Sequence, residues 1–470
     1  MLLNRCVIFT LLALLGTVLD GCAQPAPTAI PTTPAFVLTP TSTVSRVRGD
    51  TAGTPTSMSG STPTSSGTPA PDESPPLLTL SAAEVQGLTH PGIRSAIADL
   101  QQRVGEVPEL SQILRAEEVT WSDSSLGCPE PGLIYAQVLS AGIWLVLSYR
   151  GQEFDYRVTD THSLLCTQAQ QQEPLEQQPL TGIWSRLAPL PTPRSEVASA
   201  ALNGRIYVFG GFGPGATSNE EYDPTADTWR KRAPIPRGVD HAAAVSSGGT
   251  IYLIGGFDGR FGPVNTVWAY DPETDTWAQK ADLPTSRGAL GAVAVDGKIY
   301  AIGGSGAGGD VGTTEQYDPD TDAWLSRSSM PTPRDHIGIA LVEGKIYVSG
   351  GRLGSFAKNL SGNEVYDPTT DIWLKKASLP TPRSGIAAAA VHGRIYVFGG
   401  EETGGTFDTN ERYSPRADSW GNMPPVPTAR HGLGAVALDD RIYTLAGGPT
   451  PGGSSSSLNE VFIVLGETNP

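Results

Sequence analysis

The chain has 470 residues, with 32 Lys and Arg against 48 Asp and Glu, a formal charge of −16, and 55 Gly and 40 Pro. A chain of this length usually forms more than one domain, and this glycine and proline content favours many short strands joined by turns over a helical fold. An acidic surface without a basic run repels nucleic acid, so we expect no nucleic-acid partner.

The N-terminus is expected to direct export. Arg5 precedes an apolar stretch, residues 7–18, that is too short to span a bilayer comfortably. Leu19-Asp20-Gly21-Cys22 follows and resembles the bacterial lipobox, although Asp20 stands where a small uncharged residue is usual. The resemblance implies that residues 1–21 are a lipoprotein-type signal peptide and that lipid on Cys22 anchors the chain on the outer side of the membrane. The alternative is an ordinary cleaved signal peptide and secretion.

Residues 22–76 are rich in Thr, Pro, Ser and Gly and hold hardly an aromatic side chain. Such a composition cannot bury enough apolar surface to offset the entropy lost on ordering. We therefore predict a disordered Thr/Pro/Ser-rich tether that holds the folded part away from the membrane.

Residues 77–170 are predicted to form a small α+β domain. Apolar residues at helical spacing follow Pro91, and residues 135–139, 143–149 and 154–158 have strand-like composition, with Arg150-Gly151 as a hairpin turn. Cys128 and Cys166 suit one disulfide in an oxidising compartment, with two buried free thiols as the alternative. The run from Trp121 to Pro129 looks like a module of other exported bacterial proteins, which implies a location and no function.

The remaining sequence is periodic. A Gly-Gly doublet begins 26 residues after each of six Trp residues, with Ala446-Gly447 in its place in the last copy. The six are Trp184, Trp229, Trp277, Trp324, Trp373 and Trp420. Tight turns such as Asn203-Gly204 precede each doublet, and a Tyr-Asp-Pro run such as residues 222–224 follows it. Four short antiparallel strands per repeat of roughly 47 residues are typical of a propeller blade.

The doublet, the Tyr and the Trp resemble the Kelch repeat over the whole chain after Gly182. The resemblance implies an all-β, six-bladed Kelch-type β-propeller over residues 182–466. Because the last copy ends without a Trp, we expect the segment around Trp184 to supply the outer strand of the last blade and so to close the ring.

An Arg recurs ten residues after the repeat Trp, where each inner strand begins: Arg194, Arg287, Arg334, Arg383 and Arg430, with Val239 in blade two. A Glu recurs on a later strand: Glu220, Glu315, Glu364, Glu411 and Glu460, with Trp268 in blade two. Because one blade lacks both residues, one interpretation is a structural ion pair within each blade. The other interpretation is a ring of arginines that binds an acidic peptide or a sugar carboxylate. The resemblance to Kelch domains that bind acidic peptides implies this role.

His241, His336 and His431 lie beside this position in blades two, four and six and complete the predicted ligand-binding set. Three histidines can bind a metal ion. However, we expect alternate blades to hold them far apart, and we predict neither a metal nor another cofactor.

The long Gly-rich loops vary in length and share one rim of the propeller, which makes that rim the predicted binding face. We predict a membrane-anchored binding or scaffold protein, rather than an enzyme, that binds a protein or glycan ligand there. The repeated arginines suggest an anionic ligand. A copper-radical oxidase is excluded, since no Cys follows Cys166. The alternative is a carbohydrate mutarotase resembling the periplasmic sialic-acid mutarotase. A converging pocket of Glu, Arg and His would favour the enzyme, and exposed Phe212, Phe257, Phe261 and Phe356 would favour protein binding.

Overall fold

The computed structural model describes residues 78–79, 84, 87–105, 112–121, 124–128, 135–136, 138–166, 176–179 and 182–465. The predicted signal peptide with Cys22 and the predicted tether lie outside the described residues. In the part of the chain that the structure describes, no helix is long and apolar enough to cross a membrane.

The small domain consists of an antiparallel sheet with a helix packed on it. Its helix α1 spans Pro91–Val104, and its strands are Leu78–Thr79, Gln112–Trp121, Ser140–Tyr149, Gln152–Val158, Ser163–Leu165 and Glu176–Pro179. The first five strands are neighbours in that order, and Glu176–Pro179 pairs with residues 117–120, on the same edge of Gln112–Trp121 as Leu78–Thr79. The sheet therefore extends past residue 170, where the sequence placed the end of this domain.

The helix begins where the sequence predicts, because Pro91 is compatible with the first helical position and His90 caps it. The His90 Nδ1 atom accepts a hydrogen bond from the Ile93 backbone N–H at 3.2 Å. Gly105 ends the helix at φ 74° and donates its N–H to the Gln101 carbonyl. Ile93 and Leu100 are buried against the sheet, which fixes the apolar face of the helix.

The strand predicted over residues 135–139 is wrong. The described residues of this run form no strand, Val138 and Leu139 are 54% and 73% exposed, and the next strand begins at Ser140. The backbone N–H of Val138 donates to the Ala136 carbonyl, which makes this a turn. The predicted hairpin turn is confirmed, since Arg150 and Gly151 have φ of 51° and 80°, as a two-residue type I′ turn requires.

Six four-stranded antiparallel sheets occupy residues 182–465 and form the predicted propeller. Short hairpins extend three of the long loops: Ser305–Gly306 with Gly309–Asp310, Arg352–Leu353 with Ser355–Asn359, and Glu401–Glu402 with Gly405–Thr406. From the inner to the outer strand, blade one consists of Ala198–Leu202, Arg205–Phe209, Asn219–Asp223 and Thr228–Lys231, and blade two of Ala243–Ser247, Thr250–Ile254, Val267–Asp271 and Thr276–Lys280. In the same order, blade three consists of Gly291–Val295, Lys298–Ile302, Thr314–Asp318 and Ala323–Arg327, and blade four of Gly338–Val342, Lys345–Ser349, Asn363–Asp367 and Ile372–Lys375. Blade five consists of Ala387–Val391, Arg394–Phe398, Asn410–Ser414 and Ser419–Asn422, and blade six of Gly434–Leu438, Arg441–Leu445, Asn459–Val464 and Gly182–Arg186.

The ring closes as the sequence predicts. The N-terminal strand Gly182–Arg186 pairs antiparallel with Asn459–Val464 and places Trp184 opposite Phe462. The inner strand of blade six also contacts the inner strand of blade one, so the six inner strands surround a central channel. Joining the two ends of the chain in one blade removes an exposed sheet edge.

The repeat Asp and Trp hold neighbouring blades together. The Asp322 carboxylate accepts the backbone N–H of Ala281 at 2.8 Å, and Trp324 Nε1 donates to the carbonyl of the same residue at 2.9 Å. Ala281 belongs to the segment that leaves blade two, whereas Asp322 and Trp324 belong to blade three. The equivalent residues held in this way are Ala188, Ala233, Ser328 and Ala377. The recurring Asp-x-Trp motif is thus an interblade clamp.

The small domain packs on the closing blade. The Thr89 N–H donates to the Trp184 carbonyl at 3.0 Å, and Leu88 forms an isolated antiparallel bridge with Ser185. Glu84 of the small domain forms a salt bridge with Arg441 of blade six, the closing blade. The small domain therefore covers the outer edge of the strand that closes the ring. The sulfur atoms of Cys128 and Cys166 are joined in a disulfide in this domain.

Candidate functional site

The five repeated arginines are buried inside their blades. Arg334 donates from Nη1 to Glu364 Oε2 at 2.5 Å and from Nη2 to the Val348 carbonyl at 3.0 Å, and neither ionic side chain is more than 2% exposed. The other pairs repeat this arrangement: Arg194 with Glu220, Arg287 with Glu315, Arg383 with Glu411, and Arg430 with Glu460. The structure therefore shows the ion pair that the first interpretation describes.

The second interpretation, in which these arginines bind a ligand, is wrong for this structure. All five arginines are fully buried, so Arg194, Arg287, Arg334, Arg383 and Arg430 offer no surface to a ligand. In blade two, Val239 and Trp268 belong to one apolar cluster, so a hydrophobic contact replaces the ion pair as a unit. This replacement explains why Arg and Glu are lost together.

Two residues after the Arg position, the chain forms a ring around the channel. The ring residues, one from each blade in order, are Glu196, His241, Ala289, His336, Gly385 and Gly432. Each residue donates its backbone N–H to the carbonyl of the ring residue in the preceding blade, at 2.6 to 3.2 Å, and Glu196 donates to Gly432 to complete the circle. All six have positive φ, between 52° and 63°. The ring lies where the inner strands begin, at the long-loop end of the channel.

Three histidines converge on Glu196 within this ring. The Nε2 atoms of His241 and His336 lie 3.4 and 4.0 Å from Glu196 Oε2, and His431 Nε2 lies 3.5 Å from Oε1. The expectation that alternate blades hold these histidines far apart is wrong, because the ring positions lie close to the propeller axis. His241 and His336 are ring residues, whereas His431 lies one position before Gly432, the ring residue of its blade.

Carboxylates and a carbonyl orient the other nitrogen of each histidine. His241 Nδ1 lies 2.6 Å from Asp240 Oδ1, and His336 Nδ1 lies 3.2 Å from Asp335 Oδ2. His431 Nδ1 lies 3.0 Å from the Gly448 carbonyl. With Asp240 as acceptor, the His241 ring carries a proton on Nδ1 and directs Nε2 towards Glu196. The guanidinium of Arg352 donates to Nε2 of His336, which places the proton of that ring on Nδ1 as well.

Arg352, from the long loop of blade four, supplies the fixed positive charge beside this group. Its Nη1 lies 2.9 Å from Glu401 Oε1, its Nε lies 3.2 Å from Asp335 Oδ1, and its Nη2 lies 2.8 Å from His336 Nε2. With neutral imidazoles, four carboxylates (Glu196, Asp240, Asp335 and Glu401) face this single cation. The channel mouth is thus an acidic site lined by imidazoles.

Opposing influences set the charges of the central residues. Burial would raise the pKa of Glu196, but the three histidines and Arg352 together hold that pKa below its ordinary value. Burial would lower the pKa of His241, but Glu196 and Asp240 raise it. Burial and then Arg352 lower the pKa of His336, and they outweigh Asp335 and Glu196. One imidazole beside the carboxylate is thus predisposed to carry a proton and the other is not.

The ring borders a small cavity in the channel of about 190 Å³. Below the ring, its walls are mostly Ala, Gly, Leu and Ile from the first residues of the inner strands, including Ala243, Leu290 and Ile337. The only charged or imidazole groups that line it are Glu196, His241 and His336 at the ring. Ionisable side chains therefore meet this cavity at its ring end.

An aromatic patch extends from the ring to the surface. His241 lies 5.9 Å from the Phe212 ring and 5.3 Å from the Phe257 ring, and Phe212 lies 5.4 Å from Phe261. Phe261 is 63% exposed, whereas Phe212, Phe257 and Phe356 are half-buried. Of the four phenylalanines whose exposure would favour protein binding, Phe261 is exposed, and Phe212 packs against it.

A second, larger cleft of about 1460 Å³ lies between the small domain and blade six, with His90, Arg94, Asp160 and Trp184 among its lining residues. Among the described residues that line this cleft, we find no convergent ionic group comparable to the one in the ring. We therefore assign the candidate site to the channel mouth.

Sequence reasoning missed Glu196, Asp240, Asp335, Arg352 and Glu401. Glu196 has no repeat signal, since the equivalent ring positions hold His, Ala, His, Gly and Gly. Arg352 and Glu401 come from loops of variable length. Alignment of the repeats on the position two after the Arg would have grouped Glu196 with His241 and His336.

The comparisons with known proteins concern both folded parts. The family model of the KLHDC2/KLHL20/DRC7 Kelch-repeats domain matches residues 149–304, 230–400 and 280–448. A domain of unknown function, DUF8738, matches residues 93–166 of the small domain. No curated protein matches the chain.

Among solved structures, one titled "Structure of YjhT" is similar to the propeller. It is 18% identical, with a TM-score of 0.52, and the similarity covers 58% of this chain and 95% of the other. At this identity the similarity shows the fold alone. The repeats, the six closed blades and the family match over more than half of the chain establish that this protein belongs to the Kelch-repeat family.

Proposed function

We propose that this protein is an exported, lipid-anchored binding protein that holds a protein or glycan ligand on the long-loop face of its propeller. The observation that carries the proposal is the continuous patch from exposed Phe261 through Phe212 to His241 at the channel mouth. An exposed aromatic side chain next to convergent polar groups is a common feature of protein and glycan recognition.

The size of the cavity supports binding at the rim over full enclosure of a ligand. Its volume of about 190 Å³ lies below the roughly 300–1,000 Å³ of typical small-molecule sites. A ligand would therefore rest on the loops and insert only a small group between the ring residues.

The charges favour a neutral or cationic group at this point. The arginines that suggested an anionic ligand are neutralised by their own glutamates, and Arg352 is held by Asp335 and Glu401. An inserted carboxylate would meet Glu196 and three further carboxylates. We therefore propose an uncharged sugar or a basic side chain in place of the anionic ligand that the sequence suggested.

The test is a glycan and peptide array with the native chain, Phe261→Ala and Leu374→Ala. Leu374 is the matched control because it is 58% exposed but belongs to an outer strand, away from the channel. We expect Phe261→Ala to weaken binding by about tenfold, a typical effect of losing an interface anchor, and Leu374→Ala to have no effect. Binding that survives in Phe261→Ala would contradict the proposed face.

A second candidate function is a carbohydrate mutarotase, the alternative that the sequence raised. The observation that favours it is the carboxylate of Glu196 beside the imidazole of His241, 3.4 Å apart and at the end of a cavity. Such a pair can exchange protons with a hemiacetal hydroxyl and ring oxygen. Magnetisation-transfer NMR on anomeric mixtures of neutral and acidic sugars tests it. Acceleration that disappears in Glu196→Gln would support it, and uncatalysed rates with every sugar would oppose it.

Export and lipidation are tested separately from ligand binding. The disulfide between Cys128 and Cys166 is consistent with an oxidising compartment. We expect labelled palmitate to enter the native chain but not Cys22→Ser, and the variant to leave the membrane fraction. Equal labelling of both chains would contradict a lipid anchor at Cys22.

A further inference from the structure

We infer that the channel mouth is a binding site for one divalent transition-metal ion of the zinc type, held by Glu196, His241 and His336. This inference goes beyond the proposed function and does not depend on it. It also revises the sequence-based expectation that the three histidines form no metal site.

The positions of the ligand atoms suit such an ion. One ligand atom from each of the three side chains lies within 4.8 Å of the others, and Glu196 Oε2 lies 3.4 Å from His241 Nε2 and 4.0 Å from His336 Nε2. Zinc bonds of about 2.0–2.1 Å place tetrahedral ligands roughly 3.4 Å apart. Small side-chain rotations would thus bring all three atoms into coordination range.

The surroundings of the histidines provide an independent argument. Asp240 and Asp335 lie at the Nδ1 atoms of His241 and His336, at 2.6 and 3.2 Å. A carboxylate at the second nitrogen is the usual partner of a metal-binding histidine, because it fixes the ring and makes Nε2 a better donor to the metal. Both histidines then direct Nε2 at the Glu196 carboxylate, an arrangement that a cation between them would stabilise.

The local charge also calls for a cation. Glu196, Asp240, Asp335 and Glu401 carry four negative charges against the single positive charge of Arg352, which leaves three uncompensated when the imidazoles are neutral. The four carboxylate side chains are at most 11% exposed, so solvent screens their charges weakly. A divalent ion would neutralise most of this excess.

Two neighbouring groups define the limits of the site. His431 Nε2 lies 2.8 Å from the Gly452 carbonyl, which makes it a hydrogen-bond donor there and not a ligand. Arg352 Nη2 lies 2.8 Å from His336 Nε2 and so occupies one coordination direction. A bound ion must therefore displace this guanidinium from the Nε2 lone pair of His336, against the hold of its two carboxylate partners.

Imidazole ligands favour zinc and other transition metals over magnesium and calcium, which prefer oxygen. Three protein ligands would leave a fourth position facing the cavity. That position could receive water or a polar group of a bound ligand.

The experiment measures zinc binding to the full chain by titration calorimetry and by metal analysis after dialysis. The variants are Glu196→Gln, His241→Gln, Asp240→Asn and Arg352→Met, with His392→Gln as the matched control. His392 follows the inner strand of blade five at the opposite rim and lies 2.9 Å from Asp440. Thermal unfolding in EDTA shows whether each variant keeps its fold.

We expect the native chain and His392→Gln to bind about one zinc ion with equal affinity. Loss of either ligand in Glu196→Gln or His241→Gln should weaken binding more than the roughly 10–100-fold expected of Asp240→Asn. Arg352→Met should bind zinc more tightly, since a competing cation is gone. The inference is overturned if the native chain binds no zinc, if folded Glu196→Gln and His241→Gln bind as the native chain does, or if Arg352→Met binds more weakly.

Discussion

The Glu196 carboxylate occupies the space that a side chain at Gly432 would need. A Cβ atom at position 432 would lie 2.4 Å from Glu196 Oε1, and the Gly432 carbonyl accepts the Glu196 backbone N–H at 2.6 Å. Gly432 also has a φ of 57°, in the left-handed region. Because Gly432 of blade six has no side chain, the space beside it is open to the Glu196 carboxylate of blade one.

Gly432→Ala is therefore expected to displace Glu196. The left-handed backbone conformation costs about 1–2 kcal/mol in a residue with a Cβ, and the steric overlap adds about 1–3 kcal/mol. Ala289→Gly is the control, because Ala289 is the ring residue of blade three and already has a φ of 53°. Chemical denaturation should show a loss of stability in Gly432→Ala and little change in Ala289→Gly, and equal stability of both variants would contradict the close contact.

The blade ion pairs predict a large effect on stability. Glu364→Ala leaves Arg334, which is fully buried, without its carboxylate. Removal of one partner of a buried pair typically costs about 3–5 kcal/mol. Lys345→Met is the matched control, since the Lys345–Asp367 pair of the same blade is partly exposed and such pairs contribute about 1 kcal/mol or less. Similar losses in both variants, measured by urea denaturation, would show that burial does not distinguish the pairs.

Ring closure predicts that the first Trp of the repeats matters more than its equivalents. Trp184 is 4% exposed, packs on Phe398 and Phe462, and donates from Nε1 to the Pro424 carbonyl at 2.9 Å. Truncation of a buried Trp costs about 3–5 kcal/mol. Trp373, at the same position of blade four, is only half-buried. We expect Trp184→Ala to lower the melting temperature more than Trp373→Ala, and the reverse order would argue against closure by this strand.

The interblade clamps predict a dependence of stability on pH. The Tyr317, Tyr366 and Tyr413 hydroxyls donate to Asp322, Asp371 and Asp418 and, with backbone N–H groups, lower the pKa of each carboxyl. A carboxyl with a lowered pKa in the folded state adds stability above its unfolded pKa, which is about 3.9. That stability is lost as the pH falls through the folded-state pKa.

The check is denaturation between pH 6 and pH 3 of the native chain and of a variant with Asn at these three positions. The variant should be less stable at pH 6 and should lose less stability on acidification. Parallel pH profiles for the two proteins would show that other carboxylates govern the acid sensitivity.

Particular residues show how far sequence patterns reach. The constant spacing from Trp184 to Gly210, repeated in every copy, predicts the blades, since in blades one to five each strand pairs with a strand that is close in sequence. The shared loss of Arg and Glu in blade two raised the ion pairs as one of two interpretations, and burial decided between them. The strand prediction for residues 135–139 was wrong because β-branched and aromatic residues also occur in exposed turns.

The sequence by itself thus determined the number of blades and their strand pattern, because hydrogen bonding within a repeat depends on local periodicity. It also determined the closing strand, because the last copy lacks the Trp that the N-terminal segment supplies. Only the tertiary structure decided which residues meet at the channel mouth. Glu196, His241 and His336 come from blades one, two and four. Their distance in space depends on how near each position lies to the propeller axis, where all blades converge, and not on how many blades separate them in the chain.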